Sequence, residues 1–233
     1  MRTKSRERDK GVKTKLRGEV KTRFTRRLLA WWARAARDLP WRRTRDPYRV
    51  LVSEFMLQQT QVSRVAEYYP RFLERFPDLE SLARARPRAV REAWDGLGYY
   101  ARASNLHALA RVVSKDHGGA LPDHPDELIK LPGVGRYTAG AVATFAYEKP
   151  VPAVDTNVAR VLRRVFLGIN GRRKTEHRRL WALATALVPK NGKRAWKFNQ
   201  AIMELGALIC VARKPRCPQC PVRPNCKTGK GKS

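Results

Sequence analysis

At 233 residues with 42% apolar side chains, the chain can bury a core of its own, as one large domain or as two small lobes. Fifty lysines and arginines against 20 acidic residues give a formal charge of +30 and a pI near 11.1, which excludes the balanced charge of an ordinary metabolic enzyme. Such a field selects polyanions as partners. The cations concentrate at the ends: residues 1–27 hold twelve against three acids, and residues 211–233 hold seven against none. A DNA backbone gripped in this way is released steeply by salt. No stretch reaches the roughly 18 apolar residues of a membrane helix, and residues 1–23 lack the apolar centre of a secretory signal. The expectation is an intracellular protein of the cytoplasm or nucleoid, with no membrane partner.

In chain order, residues 1–20 are charged and nearly free of large apolar side chains, so a disordered basic arm is expected there. From Phe24 apolar residues recur at helical spacing, through Leu28, Leu29, Trp32, Ala35 and Ala36 and again through Val50, Leu51, Phe55 and Met56. Val65, Tyr69, Phe72 and Phe76 continue the pattern. Asp46-Pro47, Arg86-Pro87, Gly118-Gly119 and Asp123-His124-Pro125 punctuate it. No segment alternates with period two between hairpin turns, and there is no internal repeat, so the predicted class is all-α.

The sharpest local signal is Leu131-Pro132-Gly133-Val134-Gly135-Arg136-Tyr137-Thr138-Ala139-Gly140-Ala141, a glycine-framed turn that opens a helix. Gly133 and Gly135 permit left-handed angles and close backbone approach. The helix that follows offers free N–H groups to a DNA phosphate. Twenty residues after Gly135, Asp155 begins the run Asp155-Thr156-Asn157-Val158-Ala159-Arg160-Val161-Leu162. There it reads as an N-cap, worth about 1 kcal/mol. A carboxylate beside a phosphate-binding hairpin also suits a sugar that becomes positive as its glycosidic bond breaks, and one residue can serve both ends. All four cysteines, Cys210, Cys217, Cys220 and Cys226, fall in the last segment, interleaved with Arg213, Lys214, Arg216, Arg223 and Lys227. In a reducing compartment this argues for metal ligation by soft thiolates, as an iron–sulfur cluster or as tetrahedral zinc. His107, His117, His124 and His177 have no metal-ligand spacing.

The hairpin followed by Val154-Asp155-Thr156-Asn157 resembles the helix-hairpin-helix, glycine/proline-rich, aspartate motif of the endonuclease III superfamily, over about residues 24–226. Within it, Ser53-Glu54-Phe55-Met56-Leu57-Gln58-Gln59-Thr60-Gln61-Val62 and Gly96-Leu97-Gly98-Tyr99-Tyr100-Ala101-Arg102 are similar to the MutY-type adenine DNA glycosylase branch. The resemblance implies a base-excision-repair glycosylase that hydrolyses adenine from pairs with 8-oxoguanine or guanine. It also implies that Glu54 protonates the adenine ring nitrogen and later helps to activate water, while Asp155 supports the sugar cation. Tyr137 and Asn157 would assist near the sugar. Gln58, Gln59 and Tyr100 would wedge into the duplex around an extruded base, with Gln59 and Tyr100 the stronger candidates, and Gly133, Gly135, Arg136 and Thr138 would bind the backbone. At the hairpin, endonuclease III enzymes carry a lysine that attacks the sugar and cuts the strand; Tyr137 cannot form that Schiff base, so a monofunctional enzyme without β-lyase activity is expected. The cysteine spacing matches the superfamily's [4Fe-4S] loop and turns the choice between cluster and zinc toward the cluster. Glu54 is the sole charge between Val50 and Gln61, where an acid is costly unless it faces a polar site.

The resemblance further implies a two-lobed fold. A six-helix barrel with the hairpin would occupy 44–152, and residues 21–43 would join 153–226 in a cluster lobe, with a basic tail over 227–233. The pattern departs from the adenine branch in two respects. Thr156 stands where that branch usually has glycine, and the further domain that recognises 8-oxoguanine is not expected here. The shorter form with a tyrosine at the hairpin resembles mismatch glycosylases that remove thymine or uracil opposite guanine, which stay open as the alternative reading. A non-catalytic DNA-binding protein on the same fold is a third. The expected partner is double-stranded DNA with a mismatch, bound by a monomer.

Overall fold

A computed structural model describes residues 18–169 and 177–230. Most of the expected basic arm, residues 1–17, and the end of the basic tail, residues 231–233, lie outside the described residues. Every regular element among the described residues is helical. In order these are α1 (Gly18–Ala35), a 3-10 turn (Pro40–Arg42), α2 (Pro47–Leu57), α3 (Val62–Arg75), α4 (Leu79–Arg84), α5 (Pro87–Ala93) and α6 (Ala101–Asp116). Then follow α7 (Pro125–Leu128), α8 (Arg136–Phe145), α9 (Thr156–Leu162), α10 (His177–Leu187) and α11 (Gly192–Leu208), with 3-10 turns at Cys217–Gln219 and Arg223–Asn225. A π-helical turn, Arg163–Leu167, extends α9. α1 begins inside the last three residues of the arm expected to end at 20.

The punctuators act through identifiable chemistry. Asp46 accepts from the Arg49 N–H and Pro47 supplies a pre-set first residue for α2; Asp78 and Ser81 form a reciprocal capping box on α4; Asn191 accepts from the Arg194 N–H at the start of α11. Each cap satisfies an N–H that the helix itself leaves unpaired, for about 1 kcal/mol.

Two hydrophobic cores result. The first gathers Leu51, Val52, Phe55 and Met56 of α2 with Val65, Phe72, Trp94, Leu106, Leu109 and the alanine-rich α8. The second joins both ends of the chain: Phe24 and Leu28 of α1 pack on Val161, Phe166, Phe198 and Leu205. Phe24 meets the rings of Phe166 and Phe198 edge-on at centroid distances of 5.0 and 6.3 Å. Leu39 and Trp41, which precede residue 44, and Trp196 of α11 belong to the first core. The Arg45 guanidinium lies 4.0 Å over the Trp196 ring and reaches Glu148 at 3.4 Å, linking α11 to the loops before α2 and after α8.

Candidate active site

One large groove is lined by Glu54, Gln58, Gln59, Tyr137, Asp155 and Asn157, so residues from 54 to 157 that chemistry requires in one place share one opening. Glu54 lies on α2 with only 4% of its surface exposed, in a helix whose residues from Val50 to Met56 are all buried. Tyr137, on the second residue of α8, donates its hydroxyl to Glu54 Oε2 at 2.7 Å. Burial raises the Glu54 carboxyl to about 7; the nearby Asp155 charge pushes the same way, and the Tyr137 hydroxyl and Arg42 oppose it. At neutral pH this acid therefore holds a proton that it can give. Tyr137 is itself held well above its usual range by burial and by both carboxylates, and stays a neutral donor.

Asp155 is the N-cap of α9 as well as a groove residue. Its Oδ1 accepts from the Val158 N–H at 2.6 Å and its Oδ2 from the Asn157 side chain at 2.9 Å. Burial raises its carboxyl, while those two donors and Arg160 favour the anion. The position of α9 depends on Gly206: a Cβ there would stand 2.7 Å from Asn157 Cβ, so only glycine lets α9 and α11 cross this closely. Arg160 then ties the site to the cysteine segment, donating to Asn157 Oδ1 (2.7 Å), the Gly206 carbonyl (2.8 Å) and the Cys210 carbonyl (2.7 Å).

The hairpin is α7, a turn and α8. Gly133 has φ +72°, and a Cβ on it would meet Asn105 Cβ at 2.6 Å, so the turn needs glycine for both backbone and space. Gly135 caps α8, whose first intrahelical bond runs from Ala139 to the Gly135 carbonyl. The amides of Arg136, Tyr137 and Thr138 are thereby left for an anion. The Arg136 guanidinium lies 4.0 Å over the Trp181 ring. Thr138, expected at the DNA-binding hairpin, is 3% exposed with its side chain buried, so a contact with DNA would come from its backbone amide.

Gln58 and Gln59 follow α2, with Gln59 exposed in the left-handed region at φ 57°. The two tyrosines of the second wedge loop differ in their surroundings. Tyr100 is tethered by its hydroxyl to Asp95 and stacked under Arg91 at 4.8 Å, whereas Tyr99 is 62% exposed with φ 48°. The more exposed aromatic at this tip is Tyr99, whose ring lies 5.6 Å from the Arg102 guanidinium. Adjacent tyrosines in Tyr-Tyr carry no periodicity that tells them apart.

Sequence reasoning also missed a buried ionic cluster in the same groove. Glu204 on α11 is fully buried and accepts from Arg37 Nε at 2.7 Å and Arg42 Nη2 at 2.7 Å, while Arg42 Nε donates to Gln200 at 2.8 Å. Burial alone would raise Glu204, but the two guanidiniums overcome it and hold the carboxylate at about 2. Its only sequence signal is a lone acid amid apolar residues of α11, the same signal that marked Glu54.

Cys210, Cys217, Cys220 and Cys226 line one apolar cavity with Val161, Leu205 and Val222. Burial pushes the Cys220 thiol up to about 11 and raises the Cys226 thiol as well. Among the described residues no three His, Cys, Asp or Glu side chains converge tightly enough for a single metal ion. Four soft donors round one cavity suit either an iron–sulfur cluster or tetrahedral zinc.

Residues 52–184 match the model of the HhH-GPD superfamily of base excision DNA repair proteins, and the chain belongs to that family. It is 47% identical over 196 residues to an adenine DNA glycosylase of Mycobacterium tuberculosis, covering 84% of this chain and 64% of that protein. It is 45% identical over 216 residues to the human adenine DNA glycosylase, covering 88% and 39%. Across the curated relatives matched, the chain spans between 39% and 66% of their length. Among solved structures it superposes on a thermostable thymine-DNA glycosylase with a TM-score of 0.84 at 35% identity, covering 91% of this chain and 97% of that one. A trapped endonuclease III–DNA covalent intermediate gives a TM-score of 0.73 at 27% identity, covering 88% and 93%.

Proposed function

We propose that this protein is a monofunctional DNA glycosylase that hydrolyses the N-glycosidic bond of adenine paired with 8-oxoguanine or guanine. The observation that carries the reading is the pairing in one groove of a buried acid at about 7, Glu54, with a second buried carboxyl, Asp155, which burial raises and which the Val158 amide, Asn157 and Arg160 pull back toward the anion. Two carboxyls whose surroundings give them different protonation can divide acid and electrostatic roles. Glu54 donates its proton to a ring nitrogen of the extruded base, the glycosidic bond breaks with its electron pair leaving on the base, and Asp155 opposes the positive charge left on the sugar. Water then attacks the anomeric carbon and the Glu54 carboxylate takes its proton. Asn157 orients Asp155, the three free amides of α8 hold a phosphate, and Tyr137 orients the Glu54 carboxyl through its hydroxyl. With Tyr137 where a Schiff-base amine would stand, the reaction ends at an abasic site.

The four cysteines would hold a [4Fe-4S] cluster, whose contribution is structural and electrostatic, presenting Arg213, Lys214 and Arg216 to DNA. The two glutamines after α2 and the 44–47% identity to several adenine glycosylases support adenine as the target. A specific likeness favours the second reading, thymine or uracil opposite guanine: the thymine-DNA glycosylase structure is covered almost completely. Duplexes with A:8-oxoguanine, A:G, T:G and U:G, incubated with enzyme and cleaved with alkali, separate the two. Strand breaks from the adenine pairs are expected; breaks from T:G and U:G alone would replace the first reading by the second, and none from any pair leaves a DNA-binding protein.

A further inference from the structure

The motif Gly96–Arg102 holds a residue that the chemistry above leaves unused. Arg102, on the first turn of α6, is 6% exposed and buries its guanidinium without a carboxylate partner in ion-pair range among the described residues. Its donors go to main-chain carbonyls of two separate segments. Nη1 donates to Phe55 (3.1 Å), Met56 (2.7 Å) and Gln58, and Nη2 donates to Leu97 (3.1 Å) and Gly98 (3.0 Å), with Nε reaching Tyr99 at 3.5 Å. The Trp94 ring lies 5.4 Å from the same guanidinium and the Tyr99 ring 5.6 Å. α2 has no basic residue in its last turn, so this charge from α6 is what meets its carbonyl end.

Each bound segment carries one outward tip in a left-handed conformation that a non-glycine residue seldom adopts: Gln59 at φ 57° and Tyr99 at φ 48°. Both tips are exposed, and both are reached from Arg102 within one or two residues of a bonded carbonyl. We infer that Arg102 is a positioning residue that locks the Gln59 and Tyr99 loops into one rigid wedge, so that base extrusion draws on both tips together. The inference rests on the proposed glycosylase reading, since a wedge has work to do only where a base is displaced. A planar fork of five donors can span two loops; a lysine ammonium is a point donor that reaches one.

The test uses a duplex with the hydrolysis-resistant 2′-fluoro-2′-deoxyadenosine opposite guanine and 2-aminopurine as its 5′ neighbour, whose fluorescence rises when the stack opens. Wild type should give the rise; Arg102→Lys should bind with a Kd within about threefold yet lose at least fivefold of the rise. Added to Gln59→Ala with Tyr99→Ala, it should cause no further loss, because it acts only through those tips. An unchanged rise in Arg102→Lys, a loss additive with the tip variants, or no rise with wild type overturns the inference. Amide exchange of wild type decides independently of whether the variant folds. The amides of residues 58–60 and 98–100 should open with one common protection, and protections differing by more than tenfold overturn it. Neither readout involves base release, so failure of the glycosylase reading is seen separately in the alkali assay.

Discussion

The two walls of the groove are held by different physics. The Glu54 wall is hydrocarbon: α2 and α8 run through the larger core, and Val50, Leu51, Val52, Phe55 and Met56 are at most 2% exposed. The Asp155 wall is a seven-residue helix that buries Val158, Val161 and Leu162 in the smaller core and is fastened further by Gly206 at its back and by Arg160 and Arg164, which bind the carbonyls of Cys210, Val211 and Ala212. Of the cysteine segment only Val222 and Cys226 enter the second core. The acid therefore sits in a rigid, desolvated wall that sets its proton affinity, and the counter-charge sits on a wall whose position is contingent on the cysteine loop.

Removing either carboxyl tests whether the walls act as one site. Glu54→Gln and Asp155→Asn should each lower single-turnover excision by about 10³-fold or more while leaving duplex affinity within a few-fold, measured by quench-flow and by fluorescence anisotropy. A variant that keeps activity within tenfold would break the assignment of that wall.

The ionic cluster bracing the groove floor comes next. Glu204→Gln leaves Arg42 buried with half its partner gone and should destabilise the fold by about 3 kcal/mol in urea unfolding. Because Glu204 is held at about 2, below its usual 4.5, wild type has this contribution in full above the unfolded value and loses it as pH falls toward 2. The difference between wild type and variant should shrink on acidification.

Glu54 behaves with the opposite sign. Its carboxyl is raised from 4.5 to about 7, so the penalty is absent below 4.5 and grows as pH rises through 7. Glu54→Gln should therefore stabilise the protein at pH 8 by up to roughly 3 kcal/mol and leave it unchanged near pH 4. An inactive variant that is also more stable only at alkaline pH would tie the strain to the acid itself.

The contingent wall is tested through Arg160. Arg160→Gln removes the links from Asn157 to the Gly206 and Cys210 carbonyls, and excision should fall by about 10–100-fold. Amide exchange should rise across α9 and residues 210–226 and stay unchanged in α2 and α8. Equal loosening of both walls would erase the distinction drawn between them.

Much of this was legible in the chain. The all-helical class follows from apolar spacing, and the break read at Asp46-Pro47 is a cap that acts on its own neighbours, whereas the caps at Asp78 and Asn191 were not read from the sequence. Glu54 and Asp155 were legible because each departs from its surroundings, one as a charge in an apolar run and one as a cap beside a hairpin. What stayed hidden depends on tertiary partners. The tether that withdraws Tyr100 and leaves Tyr99 the more exposed comes from Asp95 and Arg91, and the carbonyls that swallow Arg102 come from a helix more than forty residues earlier. That the Thr138 side chain is buried also depends on the packing of α8.

The smallest predicted effect is the most informative about the acid. Tyr137 donates to Glu54 at 2.7 Å and opposes the upward push of burial, so it favours the charged carboxylate. Tyr137→Phe removes that donor, and the alkaline limb of the excision profile, set by Glu54 at about 7, should move upward. A net hydrogen bond of about 1 kcal/mol corresponds to somewhat less than one pH unit, and the rate at pH 7 should change by less than about tenfold. If the hydroxyl instead served as a proton donor to the base, its loss would lower the rate at every pH and leave the limb where it was. Tyr137 is held well above its usual range, which makes it a poor acid, so the shift of the limb without collapse of the plateau is the expected result.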